Sequence, residues 1–172
     1  FEDGRHVVVS VETRRESDEV FSPLLGLLRQ FELIYVVGSE ADLVGVRTEH
    51  RGERVYLYPT SATPGQAREL FVEFIAAIND VYETPRMYNT LTHNCTNELT
   101  RPVKRMSGVE FPLTWKGIFP GYFVEVLYEL ELIDTSRSFA SVKYSHKLDA
   151  TALDPQSPQF SRDLRASLER TQ

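Results

Sequence analysis

Hydrophobic and polar positions recur at two different periods along the 172-residue chain, and the changes of period mark the elements. From residue 6 to residue 14 the period is two. Val7, Val9 and Val11 share one face of a predicted strand, and His6, Val8, Ser10, Glu12 and Arg14 share the other. The Asp3-Gly4 pair ahead of it is a hairpin turn signal. Residues 15–19 are wholly polar and read as a turn, after which Ser22-Pro23 opens a short amphipathic helix to about Gln30. Residues 32–38 form a mostly apolar run closed by glycine, the mark of a buried strand. Residues 42–50 and 53–59 read as two further strands around Arg51-Gly52. That assignment turns Val44, Val46, Val55 and Leu57 to the core, Tyr56 and Tyr58 to the other face, and leaves His50 solvated at the turn.

The period then changes to 3.6. Thr63-Pro64-Gly65-Gln66 is a capping box with proline at the first helical position, and the helix it starts runs to about Val81. Ala67, Leu70, Phe71, Phe74, Ile75, Ile78 and Val81 make one wide apolar stripe, as expected of a core helix. Glu83-Thr84-Pro85 ends it. In the next stretch, YNTLTHNCTNELT at 88–100, Leu99 and Val103 fall at helical spacing after Cys95, so Cys95 opens a helix. Pro102 removes one backbone donor, so that helix either stops near Arg101 or kinks there. Residues 109–115 read as a loop and 122–132 as a helix burying Phe123, Val126, Leu127 and Leu130. Beyond Asp134 apolar density falls. Phe139, Tyr144, Leu148, Phe160, Leu164 and Leu168 are left to dock a C-terminal stretch. The expected organisation is an α+β domain over 1–134 and an extension over 135–172, packed on the domain or partly disordered.

Composition narrows the function classes. With 41% hydrophobic and 11% aromatic residues the chain is globular. A net charge of −6 without a basic stripe argues against nucleic-acid binding. No apolar run approaches the ~18 residues that span a bilayer. A single cysteine allows no internal disulfide. There is no internal repeat, glycine-rich phosphate loop or His/Cys/carboxylate metal cluster, so neither a metal nor another cofactor is expected. The chain begins in what reads as the end of a strand running into a turn, from which an upstream segment is expected.

Cys95 is the candidate nucleophile. A thiol at a helix start feels the positive end of the dipole and sits among backbone N–H groups that favour thiolate, and the same groups can hold an oxyanion. The alternative is a small buried hydrophobe. A nucleophilic cysteine needs a base, and His6, Ser10 and Glu12 project from one strand face as a base and its orienter would; the alternative is a solvated face. Asn94 caps the cysteine helix or adds an oxyanion donor, and Tyr88 lines a cleft or simply packs. His93, on the same turn as Cys95, is poorly placed to reach the thiol, and His146 lies in the C-terminal stretch.

FEDGRHVVVSVETRRE (1–16), SPLLGLLRQFELIYVVGSEADL (22–43), RGERVYLYP (51–59), RELF (68–71) and YNTLTHNCTNEL (88–99) resemble the Lnb N-terminal periplasmic domain family in order, as do FPGYF (119–123) and SFASVKYSHKLDA (138–150). The YN-x-L-x-x-NC pattern also resembles circularly permuted papain-like folds, the NlpC-related and lecithin–retinol acyltransferase-like proteins among them, in which a histidine strand precedes the cysteine helix. The resemblance implies an antiparallel sheet packed on helices, a periplasmic location, and a thiol hydrolase or acyltransferase with Cys95 as nucleophile. In that family a histidine-bearing strand lies just before the FEDG turn. His6 then matches the position that orients the histidine, a role Ser10 or Glu12 could also serve. The implied substrate is a peptide, lipid or protein, with any membrane attachment through a segment outside this chain. The rival expectation is an inactive papain-like module that binds a partner or assists an attached exported protein.

Overall fold

Strand β1, Val8–Arg14, pairs antiparallel with β2, Glu32–Gly38, in a two-stranded sheet. The structure is a computed structural model that describes residues 1, 3–14, 31–89, 92–112, 114–118 and 120–169. Both strands come from β-branched and aromatic runs, and β2 has the bounds its apolar run predicts. Gly4, at φ 77°, closes the expected turn through its N–H to the Phe1 carbonyl at 3.0 Å. β1 starts two residues late, leaving His6 and Val7 exposed. The helix expected at 22–30 and the polar turn at 15–19 fall outside the described residues.

The two strands expected at 42–50 and 53–59 do not form. Residues Glu40–Gly45 are a helix, α1, and Val46–His50 continue it as a π-helical turn. Ser39 is the reason: its Oγ accepts the Asp42 N–H at 3.1 Å, and Glu40 and Asp42 put acid charge in the first turn. The valine alternation that suggested a strand is equally compatible with a helix over so short a run. Val44 packs against the core, but Val46, expected inside, is 40% exposed. Residues 53–60 are extended without a ladder, making isolated bridges Tyr56–Lys147 and Thr60–Ile133, with Val55 and Leu57 inward as expected.

Helix α2, Pro64–Glu83, has both arms of its capping box: Thr63 Oγ1 accepts the Gln66 N–H at 3.3 Å, and Gln66 Oε1 accepts the Thr63 N–H at 2.9 Å. Of its stripe only Val81 is fully buried, and Phe71, Val72, Ile75 and Tyr82 are exposed, so it is not the enclosed core helix its pattern suggests. α3, Cys95–Ser107, runs through Pro102 and ends at Gly108, whose φ of 71° suits glycine. α4 (Trp115–Ile118), α5 (Pro120–Glu129), α6 (Phe139–Ser145) and α7 (Phe160–Glu169) complete seven α-helices among the described residues, an α+β architecture.

These elements fall into two compact units. The first comprises Phe1–Ser10, Val37–Thr60 and Ile133–Gln172. Its core is Leu148, Phe160, Leu164 and Leu168, four of the residues expected to dock, with Val44, Val55 and Leu57 against them; Tyr144, a fifth, is 75% exposed. The second comprises Val11–Val36 and Ser61–Leu132. Its core is Val11, Phe31, Leu33, Val81 and Tyr88. At roughly 1.5–3 kcal/mol for each large side chain enclosed, each cluster favours its unit substantially.

Candidate functional site

The approach to Cys95 is built by hydrogen bonds that the polar run 88–94 supplies. The Tyr88 N–H donates to the Phe31 carbonyl at 2.7 Å, and the Leu33 N–H to the Arg86 carbonyl at 2.8 Å, which lays residues 86–88 along the start of β2. Asn89 and His93 then exchange backbone bonds of 2.9 and 3.2 Å, and Asn89 Oδ1 accepts the Thr92 N–H at 3.0 Å. The chain leaves this loop in extended geometry at Asn94, which is 1% exposed and whose Oδ1 accepts the Asn97 N–H at 2.7 Å. Asn94 is therefore the cap, and Cys95 the first residue of α3, as the spacing predicts.

The thiol is partly buried and packs, with Leu99, on the Val11–Phe31–Leu33–Val81–Tyr88 cluster. Burial pushes its pKa up. Hydrogen bonding at Thr96 and its own backbone N–H pull down, the Glu12 carboxylate pushes up again, and the net direction is upward. This is opposite to the direction expected from the helix terminus alone. A terminal dipole contributes about 0.3–1 kcal/mol at an exposed site, and losing water on an apolar cluster outweighs it. The Tyr88 hydroxyl is likewise pushed up to about 12, by burial and then by Cys95. Both groups rest protonated at neutral pH.

On α3 lies a polar cluster that sequence reasoning missed. Glu98 is 2% exposed. Its carboxylate meets the Arg101 guanidinium one turn on, the Arg86 guanidinium at 3.7 Å and the Tyr35 hydroxyl at 3.3 Å. Tyr35 Oη also lies 3.3 Å from the Glu98 main-chain carbonyl. That carbonyl is the one Pro102 cannot serve, so Tyr35 donates where the proline has no N–H, and the helix continues. Burial, then the Glu98 charge, raises the Tyr35 pKa. Arg101 reaches back to the Thr92 carbonyl at 3.1 Å, tying the helix to the loop that delivers Cys95. The i,i+3 spacing of Glu98 and Arg101 was legible in the sequence, but the contribution of Tyr35 from β2 was not.

The other candidates divide between the units. Glu12, Tyr88, Asn94 and Cys95 belong to the second, where Glu12 acts on the thiol through its charge. His6 and Ser10 belong to the first and have partners there: His6 Nδ1 lies 3.9 Å from Glu40, and Ser10 Oγ accepts from Arg47 at 3.2 Å. His93 Nδ1 lies 2.9 Å from Thr92 Oγ1. His146 is buried in the first unit, its Nδ1 donating to the Val142 carbonyl at 2.7 Å and its ring stacked on Tyr58. Among the described residues no group of three or more His, Cys, Asp or Glu is disposed to hold a metal ion.

The second unit also holds a groove of about 770 Å³. One wall is the polar side of α3, with Asn97, Thr100 and Lys104. Phe111, Trp115 and Phe123 also line it, as do Asn94 and Thr96 on either side of Cys95; Cys95 itself is not among the lining residues.

Among the described residues no helix is long and apolar enough to cross a membrane. No curated protein and no solved structure matches the chain. The family model of the Lnb N-terminal periplasmic domain matches residues 3–123, which include β1, β2, the capped helix α2 and the cysteine helix. With most of its length and the whole approach to Cys95 inside that match, the chain belongs to the Lnb N-terminal periplasmic domain family.

Proposed function

We propose that this domain is a cell-envelope thiol hydrolase or acyltransferase, built on a circularly permuted papain-like plan, with Cys95 as its nucleophile. The observation that carries the reading is the position of Cys95 as first residue of α3, its cap Asn94 bonded to the Asn97 N–H. Backbone N–H groups without helical partners gather at such a start and suit an oxyanion. The thiol rests protonated, so the reaction begins with a base taking the Sγ proton. A histidine fills that role, oriented by a carboxylate such as Glu12, which shares the second unit with Cys95. The thiolate attacks an amide or ester carbonyl, and the tetrahedral intermediate collapses to a thioester as the amine or alcohol leaves with the proton. Water or a second acceptor then releases the acyl group. The substrate class is a peptide, lipid or protein of the envelope.

A second reading, an inactive module that binds a partner, is favoured by the apolar packing of Cys95 and its raised pKa. One experiment separates them. The full-length protein is incubated with p-nitrophenyl acetate and with a panel of peptide amides, and its intact mass is followed over time. An acyl adduct on Cys95 that forms, decays, and is lost in Cys95→Ala supports the enzyme. Turnover undiminished in Cys95→Ala, or no adduct with any compound, leaves the binding module.

A further inference from the structure

Thr92, ahead of Cys95 in the loop that leads to α3, is held through both of its backbone polar groups. Its N–H donates to Asn89 Oδ1 at 3.0 Å, and its carbonyl accepts from a terminal nitrogen of Arg101 at 3.1 Å. The first bond is local to the loop. The second reaches in from α3. Cα–Cβ bonds in a helix tilt toward its N-terminus, so a long side chain almost two turns in can extend back to the residues that precede its own helix.

The other terminal nitrogen of Arg101 is bonded to Glu98 Oε1. Glu98 is 2% exposed and is fixed from two further places, by Tyr35 of β2 at 3.3 Å and by Arg86, between α2 and α3, at 3.7 Å. The grip on Thr92 therefore starts from a buried point. Downstream of Thr92 the chain is short: His93 exchanges its backbone bonds with Asn89, Asn94 is buried and caps α3, and Cys95 follows. A shift of the Thr92 carbonyl passes to the thiol with only two residues between to absorb it. The thiol packs with Leu99 on the apolar cluster, so a small displacement changes how much of it water reaches.

We infer that Arg101 is a positioning residue for Cys95: by holding the Glu98 carboxylate and the Thr92 carbonyl at once, its guanidinium fixes the approach to α3 and so sets the thiol against the apolar cluster. The planar fork is what the task needs. A lysine keeps the charge and can pair with Glu98, but its ammonium is a point charge that does not reproduce two fixed, divergent donors. The inference rests on Cys95 being a group whose placement matters, as the thiol reading has it. Alkylation needs no turnover, so its outcome is separate from that of the acyl-adduct experiment.

Arg101→Lys is compared with wild type in the full-length protein by the rate of Cys95 alkylation with iodoacetamide across pH, followed by intact mass, with thermal melting measured alongside. Gly45→Ala, in the first unit, controls for lowered stability. Burial is the largest influence keeping the proton on sulfur. A thiol released from the cluster should therefore alkylate at least about fivefold faster near pH 8, and its midpoint should fall toward the free-thiol value of about 8.5. Because Arg101→Lys conserves charge, the fall is not a direct charge effect. Gly45→Ala should alkylate at the wild-type rate. The inference is overturned by a rate and midpoint in Arg101→Lys within error of wild type, or by an equal change in Gly45→Ala, which would mark general destabilisation. If Arg101→Lys does not fold, the double variant Glu98→Gln/Arg101→Gln, which removes both charges together and keeps a hydrogen-bonding pair, is read by the same two outcomes.

Discussion

A single carboxylate helps set the state of the thiol. Glu12 shares the second unit with Cys95, and its charge adds to burial in keeping the proton on sulfur. Glu12→Gln removes that charge, so the pH midpoint of Cys95 alkylation by iodoacetamide is expected to move down, and an unchanged midpoint would remove Glu12 from the site. The sign of the linkage follows. An unfolded thiol ionises near about 8.5 and the folded one above that, so the folded state holds its proton longer. Cys95 therefore costs stability as pH rises past the unfolded value. The position of Cys95 and of its cap was legible in the sequence, because capping is a contact over three residues. The direction of its pKa was not, because the residues that exclude water from it come from β1, β2 and α2.

At the scale of the element, α3 shows how a local rule is overridden. Proline inside a helix leaves one carbonyl without a donor, and the sequence alone left open whether the helix stops or kinks. Tyr35, 63 residues away, shares its one hydroxyl proton between that carbonyl and the carboxylate of the same Glu98. Tyr35→Phe should destabilise the protein by about 1–3 kcal/mol, the range for leaving buried acceptors unsatisfied. Urea unfolding monitored by circular dichroism measures it, and a change within error would mean that another group takes over the Glu98 carbonyl. α1 teaches the complementary lesson. Ser39-Glu-Ala-Asp is a cap signal that the valine alternation obscured, since over six residues the two periods overlap.

At the scale of the whole molecule, the first unit is assembled from three stretches remote in sequence, and two contacts test that assembly. Glu40 is buried and receives both terminal nitrogens of Arg165 at 2.9 Å. Burial pushes its pKa up, but hydrogen bonds from Arg165 and Ser161 and the nearby Arg165 and His6 charges outweigh it and hold it below the ordinary value. A depressed carboxyl stabilises above the unfolded value of about 4.3 and loses that contribution as pH falls through the folded value. Chemical-denaturation stability should therefore fall on acidification below about pH 4.3 more steeply in wild type than in Glu40→Gln, and identical slopes would exclude the pair as an acid-labile tie. The second contact is Gly45, where a Cβ would come within 2.7 Å of the Pro155 ring. In most helices glycine to alanine stabilises by about 1 kcal/mol. Here Gly45→Ala should destabilise by about 1–3 kcal/mol through overpacking, read as a lowered Tm.

The sequence by itself determined the features that rest on short-range contacts: β2, the capping box of α2, the cap and start of α3, and the apolar residues of its C-terminal stretch. Each depends on residues two to four apart, or on solvent-averse side chains that must be enclosed somewhere. Only the tertiary structure decided that 40–50 is helical rather than strand, that α3 survives Pro102, that Cys95 rests protonated on an apolar cluster, and that His6 is partnered by Glu40. The polar arc of Asn97, Thr100, Arg101 and Lys104 is written in the spacing of α3. That it lines one groove together with Trp115 is not, because the rest of the lining is brought there by chain folding, which no local period encodes.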